Sequence, residues 1–209
     1  VFRHTDVTTT YLQHPDSFQM GQTLAKRLVR PRTKLLIIFT DGTHTNAEEC
    51  LKGIGTIAPH VPIAGGMAGD NGRFYKTFIA SQSTVLSQGI VGVALDSDAL
   101  QVSADYKFDW IAIGLEHTID EVQGNRIYKI NGKPPLEFYE KYLGDDISVI
   151  EFPLMVEKNG VPRARAVIQK HEDGSLTCSG NLHKGDKVRI GFGDAKSLMR
   201  NPIHVMKKL

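Results

Sequence analysis

The residues best placed to do chemistry lie in Val61-Pro-Ile-Ala-Gly-Gly-Met-Ala-Gly-Asp-Asn-Gly-Arg-Phe74, where four glycines fall within eight positions beside Asp70 and Asn71. Glycine inside an element costs about 0.5–1 kcal/mol relative to alanine, so a cluster has a purpose. Two purposes fit. Either the chain turns sharply there, or something approaches its backbone closely. In the second case, bare amides at Gly65, Gly66 and Gly69 can hold a carboxylate or similar anion. Asp70, or Asp41 in the upstream Thr40-Asp-Gly-Thr-His-Thr-Asn46, can pair with an ammonium. An amino acid carries both charges. The cluster is neither GxGxxG nor GxxxxGK[ST], so it gives little support to nucleotide-phosphate binding.

Other residues offer weaker chemistry. Arg163 and Arg165 alternate with alanines and share one strand face, where they grip a carboxylate or simply meet solvent. Trp110 and Tyr128 can close over a ligand or pack in a core. The eight histidines show no HExxH or paired spacing. His44 stands out because it falls at the predicted sheet edge. No GxSxG elbow occurs. Asp41, Thr43 and His44 bring together acid, hydroxyl and imidazole, but loops and helix caps favour the same residues. These observations predict a protein that is not an enzyme.

The elements around these residues follow from pattern. Asp16 or Ser17 caps a helix with Phe18, Gly21, Leu24, Ala25 and Leu28 on one face, stopped by Pro31. Leu35–Phe39 is a continuous apolar run, as for a strand covered on both faces. A helix with Ala47, Cys50, Leu51 and Ile54 follows, then a short strand at Val61–Ala64. That order is a βαβ unit with a parallel strand pair. Both strands then end at one edge, where ligands of open α/β sheets bind. Thr40–Asn46 and Gly65–Asn71 meet there.

Beyond the cluster, closely spaced strands are predicted at 74–80, 89–95, 100–106, 111–115, 116–122 and 126–130. The turn Asn131-Gly132 and a helix over Pro134–Leu143 come next. Further strands are predicted at 147–156, 164–169, 175–179 and 187–192, with a last helix from Asp194. The fold class is α/β in the mixed α+β sense: parallel and antiparallel sheets with flanking helices, in two packed subdomains. The predicted boundary is near Gly144–Asp146.

Bulk numbers narrow the classes. The chain has 209 residues, 25 basic and 23 acidic side chains and a net charge of +2. That balance gives no footprint for nucleic acid or an anionic membrane. No apolar stretch is long enough for membrane insertion. Two isolated cysteines suit a reducing, cytoplasmic setting and offer no structural zinc site. A start at Val1 without Met, and an end without a helix cap, read as a piece of a longer chain.

Pro62–Asp70, Gly89–Leu95 and Asn125–Tyr139 resemble the FIST N-terminal domain (F-box and intracellular signal transduction). Phe152-Pro-Leu154, Arg163, Glu172–Leu176 and His183–Asp186 resemble the opening of the FIST C-terminal domain. The resemblance implies an N-like sensory domain over 1–144, incomplete at its start, and the first part of a C-like domain over 145–209, incomplete at its end. It implies a bacterial ligand-sensing input module for a small molecule such as an amino acid. The output domain, in cis or in trans, would be a histidine kinase, diguanylate cyclase or chemotaxis receptor. Some relatives are haem proteins that sense nitric oxide, so haem stays open as an alternative, though none is called for by the residues. An enzyme or protein-interaction scaffold of the same fold is a further alternative. The expected ligand-binding residues are Asp41, His44, Gly65, Gly66, Gly69, Asp70, Asn71, Trp110, Tyr128, Arg163 and Arg165, with no metal ligands.

Overall fold

The computed structural model describes residues 4–73, 75–82, 84–103, 110–144, 151–158 and 160–193. Two compact units divide the chain, Val1–Ala104 and Asp105–Leu209. Residues 100–103 of the strand predicted at 100–106 are not in a strand, and residues 104–106 and 147–150, the expected boundary residues 145 and 146 and the helix from Asp194 lie outside the described residues.

The first unit contains β1 (Asp6–Leu12), α1 (Ser17–Leu28), β2 (Thr33–Thr40), α2 (Ala47–Ile57), β3 (Ile63–Met67), the hairpin β4 (Ile79–Ser81) and β5 (Thr84–Leu86), and β6 (Ile90–Asp96). Its four-stranded sheet has the order β1-β6-β2-β3. β2 and β3 are parallel, as the βαβ pattern predicts, and β6 runs antiparallel to both β1 and β2. Leu36, Ile38, Ile90 and Ala94 face Met20, Leu24, Leu28, Cys50 and Ile54 of the two helices.

The helices start where the sequence supplies caps. Asp16 accepts from the Gln19 N–H at 3.0 Å, and Asn46 accepts from the Glu49 N–H at 3.2 Å. Each such cap is worth about 1 kcal/mol. α1 and α2 approach through a reciprocal pair of glycines. A Cβ at Gly21 would lie 2.1 Å from the Cys50 carbonyl oxygen, and one at Gly53 would lie 2.1 Å from that of Phe18.

The run Leu35–Phe39 predicts a strand covered on both faces, but only one face is fully covered. On the other, Val91 packs with Ile79 and Leu86 of the hairpin. Phe39 there stays 48% exposed. An apolar run signals β-propensity and burial together, and periodicity cannot separate them.

The second unit contains β7 (Trp110–Gln123), β8 (Arg126–Ile130), α3 (Pro135–Leu143), β9 (Leu154–Lys158), β10 (Val161–Arg165), β11 (Val167–Lys170), β12 (Leu176–Cys178) and β13 (Lys187–Gly193). Its sheet is antiparallel throughout, in the order β10-β9-β13-β7-β8-β12-β11. Ile119, Ile127, Phe138, Tyr139, Leu154, Leu176 and Val188 form its core. The predicted strands 111–115 and 116–122 are one 14-residue strand, β7. Its first part pairs with β13 and its last part with β8. The partners change between Thr118 and Ile119; at Gly114–Glu116 the strand takes up extra residues against β13, with Gly114 at φ +76°, and does not break there.

Candidate functional site

At the carboxyl end of the parallel pair, the Ala68 N–H donates to the Thr40 carbonyl at 2.9 Å. The Gly42 N–H donates to the Thr77 hydroxyl at 2.8 Å. Gly42 lies so close to Ala68 that a Cβ there would stand 2.1 Å from the Ala68 carbonyl oxygen. The ends of β2 and β3 therefore share one rim.

Asp41 sits at this rim, fully buried at 0% exposure. Its Oδ1 accepts from the N–H groups of Thr43 at 3.0 Å, His44 at 2.6 Å and Thr45 at 3.3 Å. Its Oδ2 accepts from the Gly89 N–H at 2.9 Å and from the Thr45 hydroxyl. Burial alone would raise its pKa. The bonds from Thr45, His44, Gly89 and Thr43 outweigh burial and hold the carboxyl below its ordinary range. Asp41 thus ties the loop after β2 to the start of β6. His44 projects from that loop with half its side chain exposed, and its Nδ1 lies 2.8 Å from the Thr43 hydroxyl.

The glycines divide by physical cause. Gly65 has φ +140°, and a Cβ there would strike the Ile38 carbonyl oxygen at 1.8 Å. The chain's own packing demands glycine at that position. Gly66 and Gly69 have no left-handed φ, and a Cβ added at either would meet no described atom within 4 Å. Asp70 accepts from the N–H groups of Tyr75 at 2.7 Å and Lys76 at 3.2 Å. Asn71, at φ 61°, and Gly72, at φ 75°, turn the chain inside that loop.

Trp110, Tyr128, Arg163 and Arg165 belong to the second unit and stand on separate strands of it, the two arginines excepted. Trp110 opens β7 and is half-buried. Tyr128 carries the Arg126 guanidinium 4.9 Å from its ring centre. Arg163 and Arg165 do share a face of β10, opposite Val156 and Leu154. Arg165 donates from Nε to the Asn181 carbonyl at 3.2 Å and packs on Gly180.

Sequence reasoning misses a groove of about 160 Å³ beside β3, walled by Ile38, Thr40, Ala47, Leu51, Ile63 and Met67 among others. Thr40 is 2% exposed, and its hydroxyl oxygen has no hydrogen-bond partner among the described residues. Strand alternation already places Thr40 on the helix side with Leu36 and Ile38, which is the available signal. β3 is also the end strand of its sheet. The Pro62 carbonyl and the Ala68 N–H bond to β2. By alternation, Ile63, Gly65 and Met67 turn their N–H and C=O groups to the outer edge.

A second groove, of about 540 Å³, crosses β9 and β13 in the second unit. Its Glu116, Asp186 and Arg189 are engaged in ion pairs, Arg189 with Glu116 at 3.8 Å and Asp186 with Lys158 at 3.1 Å. Neither of these two grooves has a histidine among the described residues of its wall. Among the described residues no three His, Cys, Asp or Glu side chains converge as metal ligands. None of the described helices is long and apolar enough to cross a membrane.

Comparison with curated proteins and with solved structures gave no match. The FIST N domain family matches residues 1–133, which is all of the first unit and the opening of the second. That span exceeds half of the 209 residues, so the chain belongs to the FIST family, a family of sensory, non-catalytic domains of signal transduction.

Proposed function

We propose that the chain is the input module of a bacterial cytoplasmic signalling protein. It binds a small polar molecule, such as an amino acid, at the rim where β2 and β3 end, and it regulates an attached or partner output domain. The observation that carries this reading is the pair Gly66 and Gly69. Among the described residues, neither packing nor backbone angles ask for glycine at either position. Open space above both leaves room for a ligand to approach the backbone. Asp70 and the exposed His44 stand on the two loops of that rim and supply polar contacts. Arg163 and Arg165 belong to the stretch that resembles a FIST C-terminal domain, a likeness this reading extends to residues 145–209.

Signalling further requires that the ligand favour one of two conformations, because equal affinity for both shifts nothing. The test is a thermal-shift screen of the twenty amino acids against the whole chain, repeated with Gly66→Val and Gly69→Val. A stabilising amino acid whose effect disappears in either variant, with the unliganded melting temperature kept, supports the reading. No response to any amino acid, or an undiminished response in both variants, overturns it.

A further inference from the structure

We propose that the groove between α2 and the outer edge of β3 is a binding site for the branched apolar body of a small ligand, with one neutral hydrogen-bonding group directed at Thr40. This deepens the sensory reading and rests on it for any role in signalling, since the groove shares Thr40 and Gly65–Met67 with the rim.

Three independent observations define the occupant. The first is size. A volume of about 160 Å³, at about 30 Å³ per water-sized group, admits roughly five such groups. That is a leucine-sized side chain with one polar atom. The second is charge. Ile38, Ala47, Leu51, Ile63 and Met67 give an uncharged, almost wholly apolar wall. An ionised group inside would lose its hydration without a counter-charge, so any charge on the ligand stays at the mouth. The third is the Thr40 hydroxyl, whose oxygen is buried and unpartnered among the described residues. A buried hydroxyl without a partner is a standing demand for one. Ala47, the first residue of α2, stands on the same wall, so the positive end of the helix favours an electronegative atom there. The outward N–H and C=O groups of Gly65 and Met67 flank the mouth and can take the ligand's polar end.

The test uses the full chain with labelled isoleucine, leucine and methionine methyl groups, followed by NMR. The probes are 4-methyl-2-pentanone and 3-methyl-1-butanol, with glutamate and lysine as charged controls. Expected are saturable shifts at Ile38, Leu51, Ile63 and Met67 from the neutral probes, and none at Ile38, Leu51 and Ile63 from glutamate or lysine, Met67 being shared with the rim. Thr40→Val keeps the shape and removes the hydroxyl, and is expected to weaken ketone binding about tenfold, the worth of one hydrogen bond. The same change relieves the unpaired oxygen and is expected to leave the unliganded fold at least as stable. Ala47→Met fills the groove and is expected to abolish the shifts. Absence of saturable shifts, equal affinity in Thr40→Val, or equal shifts of Ile38, Leu51 and Ile63 with glutamate overturns the proposal. Failure of the rim alone shows as silence towards polar amino acids with the groove shifts intact. Failure of the groove alone shows the reverse.

Discussion

Replacing Asp41 by Asn keeps the shape of the side chain and removes its charge. Oδ1 takes three backbone N–H groups, so the amide oxygen must stay there, and the new NH2 group falls where Oδ2 stood. It then faces the Gly89 N–H, which loses its acceptor in a buried place. One charge-assisted bond is lost and one donor is left unsatisfied, for a combined destabilisation of roughly 2–4 kcal/mol. In a unit of about 100 residues, each kcal/mol moves the melting temperature by about 4–8 °C, so a fall of about 8 °C or more is expected. Differential scanning calorimetry as a function of pH is the assay. The folded carboxyl titrates below its ordinary value of 3.8. Its contribution is whole above the unfolded value and is lost as pH falls through the folded one. The gap between wild type and Asp41→Asn is therefore expected to be widest near neutrality and to narrow in acid. A variant melting within about 2 °C of wild type at neutral pH, or a gap that ignores pH, refutes Asp41 as the anchor of its loop.

Gly53→Ala forces a Cβ to within 2.1 Å of the Phe18 carbonyl oxygen, so α1 and α2 must part. Urea denaturation is expected to show a loss of about 1–3 kcal/mol. His117 is expected to titrate below 6.5, lowered first by burial and then by Lys141. The Asn131 amide donates to its Nδ1 at 2.9 Å, which leaves Nε2–H to donate to the Tyr142 hydroxyl at 3.1 Å, so the fold holds the neutral ring. Stability from this cluster is whole above 6.5 and falls as pH drops towards the folded value, and an NMR titration of His117 checks it. Burial pushes the Cys50 and Cys178 thiols up to about 12, so neither is expected to react with iodoacetamide in the native chain, and both are expected to react in denaturant, as read by mass spectrometry.

The parts of the fold that are legible in the sequence are those with local causes. Asp16 at the head of α1, the apolar spacing of Leu24, Ala25 and Leu28, and the strand–helix–strand order around α2 each carry their structure within a dozen residues. β7 reads as two strands because its partners, β13 and β8, lie elsewhere in the chain, and a strand extends as far as its partners allow. At the rim the residue types are visible but their duties are not. Asp41 reads as a free carboxylate until Gly89 is brought against it. Gly65 and Gly66 are identical as letters, and only the passage of Ile38 beneath one of them tells them apart. Alternation places Thr40 on the helix side, but that its hydroxyl ends there without a partner among the described residues shows only in the fold.

The placing of β6 has a consequence for synthesis on the ribosome. Its pairing with β1 joins Asp6 to Asp96 and Leu12 to Ile90. β6 emerges last of the four strands, yet it sits between β1 and β2. A nascent chain halted before residue 90 can form the β2–α2–β3 unit, but β1 and one side of β2 then have no neighbour. Such long-range closure is slow and leaves strand edges open to other nascent chains meanwhile. Emergence of residues 90–96 from the ribosome is the step at which β1 and β2 gain their missing neighbour.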